Sequence, residues 1–200
     1  MQLHKRDVVT KAAAILDSYG IADLTMRRLA RELDVTPGAL YWHFANKQQL
    51  LGAVTDHVLA PACADPAAAG WRGRIEVVCR ALRDALLSHT DGAELVSASF
   101  AAGQSTAMAR ILAQLARAAA EAGMDDGRAT LAARSIVYYV LGFTADEQSR
   151  LQWDAAGADV PETSPADNPS ARFAFGLHLL TNGIDAETDV GAGEFETTSR

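Results

Sequence analysis

The chain has only two cysteines, Cys63 and Cys79, in 200 residues, with neither a CxxC pair nor a histidine at metal-ligand spacing around them. Such sparse usage argues against a disulfide framework or a zinc site and makes a reducing, cytoplasmic setting the expected one. Uninterrupted apolar runs of membrane-spanning length are also missing. The opening MQLHKRDVV passes straight into charged amphipathic sequence instead of a signal-peptide core, so no membrane partner is expected. Enzyme signatures are absent as well: there is no phosphate loop, no HExxH and no nucleophile with a base at motif spacing. Asp146 and Glu147 form a carboxylate pair, but neighbours on a helix point apart and do not share one substrate atom. Finally, no alternating run is long enough for a convincing strand.

Positive charge is scarce overall, at a net −7, but it is not evenly spread. Residues 1–50 hold Lys5, Arg6, Lys11, Arg27, Arg28, Arg31 and Lys47 against Asp7, Asp17, Asp23, Glu32 and Asp34, a net +2 that leaves −9 on the remaining 150. A basic head on an acidic body is the pattern of a protein whose first part meets a polyanion. The 49% hydrophobic content is ample for a buried core.

Helical periodicity runs from end to end, so the fold class expected is all-α. Val8, Ala12, Ile15, Leu16 and Tyr19 mark one face of a first helix over residues 5–19, stopped by Gly20. Thr25 can cap a second helix reaching Leu33, with Leu29, Ala30 and Leu33 inward and Arg27, Arg28 and Arg31 outward. After a tight Asp34-Val35 link, Thr36 as cap and Pro37 at the first helical position start a third helix through Phe44, about two turns long. Asn46 can cap a fourth, ended by Pro61. The stripe Trp71, Ile75, Val78, Leu82 and Leu86 defines a fifth. Further helices read over residues 93–100, 106–122, 128–152 and 170–181. Residues 154–170, rich in proline, glycine and polar groups, read as a mobile loop, and 186–200 as a disordered tail.

Three short helices within fifty residues, the second and third joined by a tight turn, suggest a helix-turn-helix head over residues 1–46, followed by a larger helical domain over 47–185. In that motif the first residues of the third helix, Thr36, Pro37, Gly38 and Ala39, meet base edges. Gly38 and Ala39 are small enough for close approach, and the Ala39 methyl suits a thymine methyl. Leu40 and Phe44, four apart, face the core, while Tyr41, Trp42 and His43 bring polar tips towards phosphates. A three-helix head of any larger bundle would also need Leu40 and Phe44 inward, so composition alone leaves both readings open.

The run LTMRRLARELDVTPGALYWHFANKQQLL, residues 24–51, closely resembles the DNA-binding head of the TetR family of one-component transcriptional repressors. Three later stretches, ALLSHTDGA, YVLGFTADEQ and RFAFGLHLLTNGI, resemble the regulatory domain of the family's tetracycline-responsive members. The resemblance implies operator contacts at Arg27, Thr36, Gly38, Ala39, Tyr41, Trp42, His43 and Lys47, with Arg27 able to grip a guanine and Tyr41 and Lys47 anchoring the backbone. The order TPGA at the start of the third helix departs from those members, which carry a long polar side chain before the proline, so base preference is expected to differ.

The resemblance further implies a homodimer closed by a four-helix interface, here residues 128–152 and 170–181, with Ala129, Ala132, Ala133, Ile136, Val140, Leu141, Phe173, Leu177 and Leu180 as its apolar faces; these same faces can equally pack inside one subunit. It implies a small-molecule inducer lined by Cys63, Val78, Leu82, Val96, Ser99, Phe100, Met108, Leu112, Leu115 and Val137, with Asp146 reaching from the partner. Where the tetracycline-responsive members place a histidine and polar groups, this chain has Val96, Val78 and Leu82. Valine offers magnesium no ligand, so an apolar inducer, a natural product or antibiotic, bound without metal or other cofactor is expected. The fourth helix would carry the signal, with Cys63 at the hinge. An activator, a ligand-independent DNA-binding protein and, less favoured, a helical enzyme are the alternatives.

Overall fold

The computed structural model describes residues 3–66, 70–158 and 168–196, with side chains as far as residue 188. Among these, nine α-helices and two 3-10 turns, Ile21–Asp23 and Ala60–Cys63, account for all the regular structure, and no strand occurs. The helices are α1 (Lys5–Tyr19), α2 (Met26–Glu32), α3 (Pro37–Tyr41), α4 (Lys47–Leu59), α5 (Trp71–Leu87), α6 (Gly92–Ala102), α7 (Thr106–Glu121), α8 (Asp126–Ala155) and α9 (Pro169–Glu196). None is long and apolar enough to cross a membrane.

Packing divides the chain into two compact units, one of Met1–Ala64 with Ala81–Arg110 and one of Asp65–Arg80 with Ile111–Arg200. The division does not follow residue 46. The head shares its unit with the end of α5, with α6 and with the start of α7.

In the first unit the expected caps are made. The Thr25 hydroxyl accepts from the Arg28 N–H at 3.1 Å, and the Asn46 side-chain Oδ1 accepts from the Gln49 N–H at 2.9 Å. Each satisfies a donor that the first helical turn leaves without an intrahelical partner. The Asp34-Val35 link is a Schellman closure: the Val35 N–H donates to the Ala30 carbonyl at 3.0 Å and the Asp34 N–H to Arg31 at 3.2 Å. Asp34 sits at φ 53°, in the left-handed region that aspartate tolerates better than most residues. Val8, Ala12, Ile15 and Leu16 of α1 are buried with Leu29 and Ala30 of α2, Leu40 of α3 and Leu50, Val54 and Val58 of α4. Tyr19, expected on that inward face, is instead exposed and covers Arg28, whose guanidinium lies 3.7 Å from its ring centroid. Leu33 is half-buried.

The second unit is organised by α8 against α9. Tyr139, Phe143 and Phe173 form an aromatic cluster with ring centroids 5.3–5.9 Å apart, and the Tyr139 hydroxyl donates to the Phe173 carbonyl at 2.8 Å.

Several element lengths differ from the sequence reading, α3 and α9 among them. α3 ends at Tyr41, because Trp42 is its cap and the His43 N–H turns back to the Leu40 carbonyl at 2.9 Å. α9 does not stop at Thr181 but continues through Asn182-Gly183 to Glu196, taking up most of the expected disordered tail. A helical glycine costs about 1 kcal/mol. That cost is offset by buried Ile184, by the Arg72–Asp185 ion pair and by Arg128 at 3.4 Å from Glu187. Of the expected mobile loop, residues 154–155 and 169–170 are helical, whereas 159–167 lie outside the described residues, as do 197–200 of the tail.

Candidate nucleic-acid interface

Burial sorts the side chains of the Leu40–Phe44 run. Leu40 is fully enclosed and Phe44 nearly so, whereas Trp42 is 91% exposed and Tyr41 is also exposed. Two apolar anchors thus hold a short helix by one side and leave the other side bare. Thr36, Pro37 and Gly38 are exposed, while Ala39 and His43 are half-buried. The Thr36 hydroxyl accepts from the Ala39 N–H at 3.4 Å, and Pro37 occupies the first helical turn, where no N–H is needed.

Basic groups stand on the helices before and after α3. Arg27, Arg31 and Lys47 are exposed and have no carboxylate partner among the ion pairs given by the described residues. Arg28, expected to point outward with them, is half-buried between Tyr19 and the Asp23 carboxylate, so its charge is already matched within the head. Sequence reasoning counted Lys5 and Arg6 in the charge of the head but gave them no contact. Lys5 lies 5.6 Å from the Phe44 ring centroid, and both residues edge an open groove of about 440 Å3 with His43, Gln49 and His57. Their place at the start of α1 was visible in the sequence, but nothing local indicated which side of the head they would join.

The candidate inducer residues fall in both units. In the first, Leu82, Val96, Ser99 and Met108 are buried, while Phe100 and Cys63 are half-buried. The Ser99 hydroxyl is fully buried without a hydrogen-bond partner, and so is that of Thr55 on α4, which the sequence reading did not single out. Burial raises the Cys63 thiol above its ordinary pKa, with Asp56 adding to the rise and Arg110 opposing it; Cys79, wholly enclosed, is raised much further. In the second unit Val78, Leu115 and Val137 are buried and Leu112 is half-buried. Asp146 is exposed and accepts from Arg150 at 3.0 Å, with Arg172 at 3.8 Å. Among the described residues no three His, Cys, Asp or Glu side chains converge as metal ligands would.

The residues expected on the dimer faces are buried or half-buried in the single chain. Ala129, Ala133, Ile136, Val140, Leu141, Phe173 and Leu177 are buried within the single chain, and Ala132 and Leu180 are half-buried. The apolar stripes read from periodicity therefore serve the subunit's own core. The opposite side of the same helices carries a second apolar set that periodicity obscured: Leu131 and Tyr138 on α8, Phe175 and Leu179 on α9, with Phe175 65% exposed.

A cap-built helix-turn-helix with an exposed third-helix face and exposed basic groups on the helices before and after it, attached to a helical body, defines a DNA-binding regulator and not an enzyme. Comparison with known proteins narrows the class. Residues 8–54 match the family model for bacterial regulatory proteins of the tetR family, and residues 63–163 match that for the tetracyclin repressor-like C-terminal domain. The Tetracycline repressor protein class E of Escherichia coli is 32% identical, over 92% of this chain and 91% of its own. The crystal structure of BioQ from Mycobacterium smegmatis is 64% identical with a TM-score of 0.86, covering 92% of this chain and 99% of that one. A structure of BioQ with its natural double-stranded DNA operator is 62% identical, with a TM-score of 0.82 and the same coverage. The chain belongs to the TetR family of bacterial transcriptional regulators.

Proposed function

We propose that this regulator is a repressor, which holds a palindromic operator as a homodimer and leaves it when a small, largely apolar molecule binds in its helical body without a metal. The observation that carries the DNA half is the bare face of residues 36–42 held up by buried Leu40 and Phe44. On this reading Thr36, Pro37, Gly38 and Ala39 read base edges. Arg27 reaches a guanine, and Tyr41, Trp42, His43 and Lys47 fix the backbone. The operator-bound form of BioQ supports a specific duplex as the partner.

Dimerisation is supported by the exposed Leu131, Tyr138, Phe175 and Leu179, an apolar face that a lone subunit would leave in water. Ligand binding is supported by the buried Ser99 hydroxyl, a polar group left unpaired among apolar side chains at a position the family resemblance assigns to the pocket. Val96 and Leu82 of the same unit bring neither oxygen nor imidazole to that set, which favours an apolar ligand. Release follows from linkage: a ligand that prefers the DNA-incompetent arrangement of the two heads shifts the population towards it.

The test is selection from a randomised double-stranded library, followed by a thermal-shift screen of natural products and antibiotics. A single two-fold-symmetric consensus is expected, with half-sites about one helical turn apart, and at least one stabilising compound that releases it equally well in excess magnesium and in excess EDTA. Failure to enrich any sequence overturns the DNA role. A large loss of potency in EDTA overturns the metal-free pocket.

A further inference from the structure

α7 is a 16-residue helix whose first turn is not capped from within its own segment alone. Its leading donors converge on a carboxylate from α4. Asp56 Oδ1 accepts from the Ser105 hydroxyl at 2.7 Å and from the Ala107 N–H at 2.9 Å, and Oδ2 accepts from the Thr106 hydroxyl at 2.8 Å. The Ser105 oxygen in turn accepts from the Met108 N–H at 3.0 Å. Both carboxylate oxygens are thus occupied by one short segment, in charge-assisted bonds at the positive end of a helix dipole.

One turn earlier on α4, Gly52 lies against the same segment. A Cβ at that position would stand 2.3 Å from the Gln104 carbonyl oxygen, so the two backbones are already in contact. The segment itself is short and conformationally defined. Gly103 ends α6 in the left-handed region at φ 64°, and Gln104 closes that end by donating to the Ser99 carbonyl at 3.3 Å. α4 is therefore fastened to the α6–α7 junction at two successive turns, once by fit and once by charge. At its other end α4 carries Lys47, about two and a half turns or roughly 13 Å from Asp56 along the axis.

We infer that Asp56 is a positioning residue for operator binding: by fastening α4 to the α6–α7 junction it sets where Lys47, and the head that α4 supports, meet the duplex. Asp56 touches no DNA. It acts through α4, and a shift of the junction is passed to the head through this joint. The inference rests on the DNA-binding reading proposed above.

The experiment compares wild type, Asp56→Ala, the milder Ser105→Ala/Thr106→Ala double variant and the triple combination, on the duplex selected by the wild-type protein and on a scrambled duplex of the same length. Hydrogen exchange of residues 47–54 is measured without DNA. Asp56→Ala is expected to lower affinity for the selected duplex at least tenfold while changing affinity for the scrambled one less than twofold. Exchange of residues 47–54 should rise, and the triple variant should lose no more than Asp56→Ala alone, since all its members belong to one joint. Should Asp56→Ala fail to fold, the Ser105→Ala/Thr106→Ala variant carries the same comparison.

Unchanged exchange in α4 overturns the joint whatever the DNA result. Faster exchange with undiminished affinity overturns its coupling to the operator. Equal losses on selected and scrambled duplexes reduce Asp56 to a merely structural residue. A wild-type protein that enriches no sequence removes the DNA reading itself, and with it the positioning role, while the exchange data still decide the joint.

Discussion

At the residue scale, the head separates side chains that hold the fold from side chains that face outward, within a single pentapeptide. Leu40 and Phe44 are enclosed, and Tyr41 and Trp42 between them are not. A tryptophan left 91% in solvent contributes little to the stability of an isolated subunit. Trp42→Ala should therefore change unfolding free energy by no more than about 0.5 kcal/mol, yet weaken binding to the selected duplex severalfold. Lys47→Ala should lower the slope of log affinity against log salt by about 0.9, the contribution of one phosphate contact. Thermal unfolding and fluorescence titrations over a salt series check both. A slope that does not move would remove Lys47 from the backbone contacts. Arg28 illustrates the opposite outcome, since Asp23 and Tyr19 already engage the charge that its position on α2 directed outward.

At the scale of elements, α4 joins the head to the rest of its unit and tolerates no enlargement where it crosses the α6–α7 junction. In an unobstructed helix Gly→Ala stabilises by about 1 kcal/mol. For Gly52→Ala the sign should reverse. The new methyl has backbone oxygen in its path at 2.3 Å, and backbone cannot step aside as a flexible side chain does. Overpacking of this kind costs about 1–3 kcal/mol, so the melting temperature should fall. A rise would show that α4 and residue 104 can separate freely. α9 carries the converse lesson: its Gly183 has open space around it, and the helix runs through because contacts on either side outweigh the local penalty.

At the scale of the whole molecule, α8 and α9 have two apolar sides each, one spent on the subunit core and one exposed. Phe175→Asp should give a folded monomer, because it places a charge on the exposed side, whereas Leu177→Asp should fail to fold by burying an unpaired carboxylate within the subunit. Sedimentation together with circular dichroism distinguishes these outcomes. A Phe175→Asp protein that sediments as a dimer would place the interface elsewhere.

The sequence by itself determined the all-α class, all nine helix starts to within two residues and the Thr25, Thr36 and Asn46 caps, because periodicity, capping and breaker chemistry act over a few neighbouring residues. It determined the exposed face of the head too, since Leu40 and Phe44 are four apart and the rings between them must point away. Only the tertiary structure decided which side of α8 and α9 meets the core, because both sides are apolar and a periodicity has no preferred partner. Tertiary structure alone carried α9 past Gly183, where ion pairs with distant residues outweigh a local stop. Asp56 belongs to the same class. On the sequence it is one acid on a helix, and its partners lie about fifty positions away, so its role exists only once α4 and the start of α7 are brought together.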